Sequence, residues 1–400
     1  MLDPGNRKWF AAETASLPSA RATAILSLTV NARHSGQSSL PASLSNQDTE
    51  PSLLADARAL SAHCYADPAF HCFDQEAVFA RSWQLAGHAR ELGEPGDHVV
   101  TEIAGRPIIV VRGNDGMLRG FFNVCKHRAG PLALANGNAR QLQCKYHGWT
   151  YTLEGQLRAA HEMQEARGFD MSCIHLDPVR VAEWQGLVFA AVDDPGVTLE
   201  QVLAGIRERI APVDLTGLQF HTRVAYEMAC NWKVYADNYL EGYHLPHVHP
   251  GLNRLLDYRR YATHVAEWYS WQQSPVSGGR EPYAGGEAQY YFVFPNLMLN
   301  ILPGRLQTNL VVPVAHNHCR VLFDYYYSDT ESEAARALIA EDLRFSDEVQ
   351  REDIFICERV QQGLESGAYQ AGRLSPKREA GVHHFQELVR RAYRHALDNQ

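Results

Sequence analysis

Four hundred residues with 45% hydrophobic content can bury sizeable cores, and the length suggests two or three domains. A formal net charge of −9 argues against a nucleic-acid partner, because phosphate binding draws on clustered Lys and Arg. No apolar run approaches the roughly 18 residues that a membrane helix needs, so the chain reads as soluble, with no membrane partner.

Residues 1 to 55 are rich in Ala, Ser, Leu and Thr, lack an amphipathic period and end in the polar run Ser45 to Pro51. They are expected to form a disordered N-terminal extension. Asp3, Glu13 and the want of an Arg-rich face count against a transit peptide. An apolar period returns with Phe73, Val78, Phe79 and Trp83, which predicts a helical lead-in over 56 to 82. The period then drops to two. His98 to Arg112 alternates around Ala104-Gly105-Arg106-Pro107, and Gly113 to Gly116 turns into Met117 to Val124, so hairpins are expected. A small antiparallel β domain over 83 to 192 would close on the strand Gly186 to Val192. The turn Asp193-Asp194-Pro195-Gly196 then opens a second domain over 193 to 400.

The first domain contains CKHRAGPLALANGNARQLQCKYHGW, residues 125 to 149. Cys125-x-His127 and Cys144-x-x-His147 place one thiolate and one imidazole on each of two loops. That is the ligand set of a Rieske [2Fe–2S] centre, with cysteines on one iron and histidines on the other. Tetrahedral zinc competes for the same residues, but zinc modules commonly pair Cys with Cys and His with His at short spacing. The other cysteines, Cys64, Cys72, Cys173, Cys230, Cys319 and Cys357, show no framework spacing. They are expected as small buried hydrophobes in a reducing, cytoplasmic setting.

A Rieske centre passes single electrons, so a destination for them is sought further on. Residues 231 to 252, NWKVYADNYLEGYHLPHVHPGL, carry Glu241, His244, His247 and His249. Non-haem Fe(II) needs two neutral imidazoles and a carboxylate on one face, with the other positions open. His244 pairs with either His247 or His249; Pro246 makes any helix there local, and spacing leaves the choice open. The third ligand is sought on a helix expected between Glu331 and Gly363. Ile339, Leu343, Val349, Ile356 and Val360 recur at helical spacing and define an inward stripe. Asp353 falls on that stripe, where a carboxylate is costly unless paired or bound to metal. Glu348, Glu352 and Glu358 flank it and read as solvated. Tyr290 to Leu302, Leu306 to Val314 and Val321 to Tyr327 read as three apolar strands packed against this helix. The predicted fold class is α+β: a small antiparallel-β cluster domain, then an α+β domain whose antiparallel sheet wraps a long C-terminal helix.

Cys-x-His-Arg with Cys-x-Tyr-His-Gly-Trp, and Asn-Trp-Lys with Asp-Asn-Tyr-Leu-Glu-Gly-Tyr-His, resemble the Rieske domain and catalytic motif of ring-hydroxylating oxygenase α subunits. The likeness covers about residues 60 to 400. It departs at Ala129, where the family has Gly directly after His-Arg. The resemblance selects His249 over His247, and it makes His244, His249 and Asp353 the ligands of a mononuclear Fe(II). Cys125, His127, Cys144 and His147 would hold the [2Fe–2S] cluster, and Glu241 and Asn238 would have catalytic roles. It further implies a head-to-tail homotrimer in which Glu241 bridges His147 of one subunit and His244 of the next. An NAD(P)H-dependent reductase is the implied electron donor, since the chain has no Gly-x-Gly-x-x-Gly fingerprint.

Glu at position 241 and the segments Phe294 to Asn300 and Gly381 to Gln386 are similar to the branch of this family that acts on choline and betaines. The expected reaction is hydroxylation of a small methylated or quaternary amine, with O2 and reductase-supplied electrons. Tyr235, Tyr239, Tyr243, Trp268, Tyr269, Trp271, Tyr290 and Tyr291 are candidates for a cage around the cation. An aromatic ring or aryl-ether substrate is the alternative within the class. A Rieske electron carrier without oxygenase activity and a structural zinc protein are the alternatives outside it.

Overall fold

Asp67 caps the longest helix of the lead-in by accepting the backbone N–H of Ala69 at 2.9 Å, with Pro68 preset at the first helical position. Helical turns run over His63–Ala66, Pro68–Asp74 and Gln75–Phe79 and bury Phe70, Phe73, Val78 and Phe79. The computed structural model describes residues 40–254, 258–275 and 287–398, so the expected extension falls outside it as far as residue 39. Its end, 40–55, is held in place, contrary to the expectation of disorder. Asp48 is fully buried in a 3₁₀ turn, accepts the Ser61 N–H at 2.9 Å and lies 2.8 Å from His63 Nε2. Arg390 donates to the Gln47 carbonyl at 3.0 Å. A polar run is ordered here because partners distant in sequence satisfy it, which composition cannot register.

The predicted hairpin is present as Asp97–Ile103 and Arg106–Arg112, extended by Leu118–Phe122. Pro178–Trp184, Leu187–Ala191 and Gln84–His88 complete one side of this seven-stranded antiparallel sheet, and Gly137–Asn138 the other. Ile109 and Val111 pack with Phe121, Cys125 and Cys144 on one face, while Ile108 and Val110 pack with Val99 and Val188 on the opposite face. A three-stranded sheet, Leu142–Gln143, Thr150–Tyr151 and Leu157–Ala159, carries the second cluster loop in its first hairpin.

A second seven-stranded antiparallel sheet follows, in the order Gln219–Met228, His318–Tyr327, Arg305–Ala315, Leu297–Leu302, Glu287–Val293, Tyr269–Pro275, Ala262–Val265. The stretch Tyr290 to Leu302, read as one strand, is two strands joined through Phe294-Pro295-Asn296. Pro295 has no N–H to donate to a continuous ladder. Gln219–Met228, Tyr269–Pro275 and Ala262–Val265 have no counterpart in the sequence reading, being too polar to show an apolar run.

Ser332 caps the long helix, Glu333–Glu365, by accepting the Ala335 N–H at 3.1 Å. Its buried residues are Ile339, Asp342, Gln350, Cys357, Gln361 and Leu364, and Val360 of the expected stripe is 45% exposed. Ile339, Leu343 and Ile356 of that stripe pack into the core and Val349 lines the site cavity, but the inward face also carries the polar Asp342, Gln350 and Gln361, which an apolar period cannot mark. Gln350 accepts from the Tyr235 hydroxyl at 2.8 Å, and Gln361 from the Asn231 N–H at 2.9 Å. Asp353 still falls inward, three residues after Gln350 and four before Cys357. The Asn-Trp-Lys motif is explained by anchoring. Asn231 caps the motif helix Trp232–Tyr239, while buried Asp74 accepts from Trp232 Nε1 at 2.8 Å, from the Lys233 ammonium and from the Tyr393 hydroxyl at 2.6 Å.

Cys64, Cys230, Cys319 and Cys357 are buried as expected, but Cys72 and Cys173 are exposed, on an outer helix face and a surface turn. Among the described residues no helix is long and apolar enough to cross a membrane.

Candidate metal centres

The two cluster loops are built on each other. Gly130 O accepts the Cys125 N–H at 2.9 Å, Trp149 O accepts the Cys144 N–H at 2.8 Å, and Pro131 O accepts the Lys145 N–H at 2.9 Å. Cys125 and Cys144 are 2% and 4% exposed, whereas His127 and His147 lie on the exposed tips. The rings of the two histidines are 4.7 Å apart, and His127 stacks on Trp149. The N–H groups of His127 and Tyr146 each point at a cysteine sulfur at 3.5 Å, and the Tyr151 hydroxyl lies 3.3 Å from Cys125 Sγ. Burial raises the Cys125 thiol pKa, opposed by Tyr151 and the His127 N–H, which favour a thiolate. A buried sulfur pair supplied with donors, facing an exposed imidazole pair, suits a two-iron cluster. A single tetrahedral ion needs all four donors around one point. Among the described residues these four do not form a group with ligand atoms within 4.8 Å of one another.

Ala129 sits at φ 55°, the left-handed region that the family's glycine would enter freely. Gly130 beside it is the more constrained of the two. A Cβ there would lie 2.8 Å from Cys144 Sγ and 2.9 Å from Tyr146 Cβ. Gly130→Ala is therefore expected to lower cluster occupancy, read from the visible absorbance per chain, with the mononuclear iron retained. Full absorbance in that variant would show that the loops yield.

Between the motif segment and the long helix, His244, His249 and Asp353 bring one ligand atom each to within 4.8 Å of one another. Asp353 Oδ1 is 3.0 Å from His249 Nε2 and 4.0 Å from His244 Nε2. His247 is exposed and outside the group, because the short turn Leu245–Val248 directs it away. Each histidine presents Nε2 inward because its Nδ1 is engaged. His244 Nδ1 lies 2.5 Å from Glu241 Oε1, and His249 Nδ1 lies 2.7 Å from Glu352 Oε2. The Glu241 carboxylate also accepts the N–H groups of Tyr243 and His244. Asn238 Nδ2 donates to Asp353 Oδ1 at 2.7 Å, which orients the carboxylate. Burial lowers the pKa of His249, but Asp353 and Glu352 outweigh it and hold the ring above its ordinary value. A cation between two imidazoles and a carboxylate would take the place of that proton. Behind the motif helix, burial pushes Asp237 up to about 7 although Tyr65 and Gln386 donate to it.

Glu352 was expected on the solvated face, and it is the residue the sequence reading misplaced. The usable signal was chemical: a ligating histidine needs an acceptor for its far N–H, and the residue beside Asp353 supplies one. Glu358, also read as solvated, accepts the Ala229 N–H at 3.1 Å. Glu352→Gln is expected to weaken iron binding about 10–100-fold, measured as iron retained at limiting free iron, with the cluster absorbance unchanged. Unaltered retention would make the contact incidental.

The three converging residues lie at a cavity of about 130 Å³, ample for more than one water molecule. Of the rings suggested for a cage, Tyr235, Tyr239 and Tyr290 line it. Tyr243 is exposed, and Trp268, Tyr269, Trp271 and Tyr291 belong to apolar packing elsewhere. Tyr261, Phe323 and Phe345 complete the lining and were not foreseen. Burial holds Tyr235 and Tyr239 well above the ordinary phenol pKa, so both stay neutral.

A buried-sulfur cluster site, an inward two-histidine-one-carboxylate group and two antiparallel sheets define a Rieske non-haem iron oxygenase, and the chain belongs to that family. Residues 82–177 match the Rieske [2Fe-2S] domain, and 215–395 the ring hydroxylating alpha subunit (catalytic domain). The chain is 37% identical over 341 residues to the chloroplastic choline monooxygenase of Arabidopsis thaliana, covering 81% of this chain and 80% of that one. It is 30% identical over 356 residues to the carnitine monooxygenase oxygenase subunit of Escherichia coli K12, covering 85% and 95%. A crystal structure of a quaternary ammonium Rieske monooxygenase in complex with L-carnitine superposes with a TM-score of 0.75 at 29% identity, covering 87% and 97%. The protein is an oxidoreductase, the terminal oxygenase component, with a [2Fe–2S] cluster and a mononuclear iron.

Proposed function

We propose that the chain hydroxylates a small quaternary amine, with the cluster on Cys125, His127, Cys144 and His147 and the iron on His244, His249 and Asp353. The convergence of those three residues at the cavity of aromatic rings carries this reading. When bound, the cluster supplies single electrons and the ferrous ion the place where O2 is activated. The net change is C–H plus O2, two electrons and two protons to C–OH plus water. Hydroxylation at an N-methyl carbon gives a hemiaminal that releases formaldehyde, whereas hydroxylation at choline's alcohol carbon gives an aldehyde hydrate. Glu241 and Glu352 hold the two imidazoles with Nε2 inward, and Asn238 holds Asp353. The cavity rings offer π faces to a cation, each contributing about 0.5–2 kcal/mol. The named activities of the choline and carnitine relatives support the amine assignment.

Electrons come from an NAD(P)H-dependent reductase in the cytoplasm, and Glu241 links His147 of one subunit to His244 of the next in a head-to-tail homotrimer. Cyclic closure suits such heterologous contacts. Activity is then expected only in the assembled fraction on sizing, and an active monomer would contradict the bridge. Substrate-stimulated NADH oxidation with a matched reductase, run on quaternary amines and on aromatic acids, tests the substrate class. Product from aromatics alone would overturn the amine assignment and leave the iron chemistry standing.

A further inference from the structure

Resting on the reading above, we propose that the substrate is a quaternary ammonium alcohol of net charge +1 and not a zwitterion that also carries a carboxylate. Among the described residues lining the cavity, Arg305 is the one with a guanidinium or ammonium group, so it is the natural partner for a substrate carboxylate. It is already neutralised. Arg305 Nε donates to Asp342 Oδ2 at 2.5 Å, with side chains 4% and 1% exposed, and Nη2 donates to Gln307 Oε1 at 2.7 Å. A carboxylate entering beside this pair would meet the charge of Asp342 as well as that of Arg305, and a buried anion without its own counter-charge is strongly disfavoured.

The remaining charges favour a cation. Asp353 and Glu241 line the cavity, and Glu352 backs it through His249. Against the two positive charges of a ferrous ion, these carboxylates leave a negative excess, which a monocation offsets and a zwitterion does not. The other polar groups of the described lining are neutral: hydroxyls of tyrosines and Ser346, and side-chain amides. Asn309 is 2% exposed with its Oδ1 taken by Gln307 Nε2 at 2.8 Å, and Asn300 is 8% exposed with its Oδ1 taken by the Tyr239 hydroxyl at 2.7 Å. Among the described residues neither Nδ2 has a protein acceptor. Two neutral donors at a cavity wall suit an alcohol oxygen, which also satisfies them.

The test is equilibrium binding to the holoenzyme without O2, with choline, tetramethylammonium, γ-butyrobetaine and an aromatic acid as probes. Choline is expected to bind at least about tenfold more tightly than γ-butyrobetaine and about tenfold more tightly than tetramethylammonium, as one hydrogen bond allows. Asn309→Leu, which leaves Asn300 as the remaining donor, should reduce choline's advantage over tetramethylammonium, and Asp342→Asn, which frees the charge of Arg305, should shift preference toward γ-butyrobetaine. Equal or tighter binding of γ-butyrobetaine by the wild type overturns this proposal and leaves the amine reading intact. An Asn309→Leu variant that keeps choline's full advantage also overturns it. Binding of the aromatic acid with no amine bound overturns both.

Discussion

Asp353→Ala is expected to retain the cluster but lose the mononuclear iron, leaving two irons per chain in place of three, and to abolish substrate-coupled turnover. Asp353 is the only carboxylate that faces Nε2 of both His249 and His244, at 3.0 and 4.0 Å, among the described residues. Without it two neutral imidazoles would have to hold a dication with no charge compensation on the facial set. The carboxylates of Glu241 and Glu352 cannot substitute, because each is engaged with the far nitrogen of its histidine. The cluster lies on other loops, so its absorbance should be unchanged and serves as the folding control. Iron analysis beside that absorbance reads the result directly. A third iron retained with full turnover would remove Asp353 from the site.

Glu241→Gln is expected to keep both metal centres yet slow turnover by about 100-fold. The amide oxygen can still accept from His244 Nδ1, which Glu241 Oε1 approaches to 2.5 Å, so the ring orientation survives. What is lost is the charge that polarises the Nδ1–H of the His244 imidazole and, in the trimer proposed above, couples the two centres. Cluster reduction by the reductase should proceed at the wild-type rate, while substrate-dependent reoxidation of a pre-reduced cluster slows. If reoxidation is as fast as in the wild type, Glu241 acts by holding His244 alone and the bridge is discarded.

What the sequence determined by itself is the local chemistry. Each cluster loop carries its Cys and His within two or three residues, and His244 and His249 fall within one motif, so no long-range information is needed to propose them. The hairpin from Asp97 to Arg112 was equally legible, since alternation and turn residues act over short distances. Asp353 lies 104 residues after His249 and was reached only through helical periodicity. That periodicity found Ile339, Leu343 and Ile356 on the inward face but missed the polar Asp342 and Gln350 that share it, because only apolar residues were used to mark the interior. Polar groups can face inward only when their partners are in place, and those partners are set by sheet register and helix docking. The Arg305–Asp342 pair joins a strand to a helix 37 residues on, and the Glu352–His249 contact spans 103 residues. Tertiary structure alone decided that Glu352 meets a histidine and that the cavity's cation is spent within the protein, since neither contact leaves a trace in local pattern or composition.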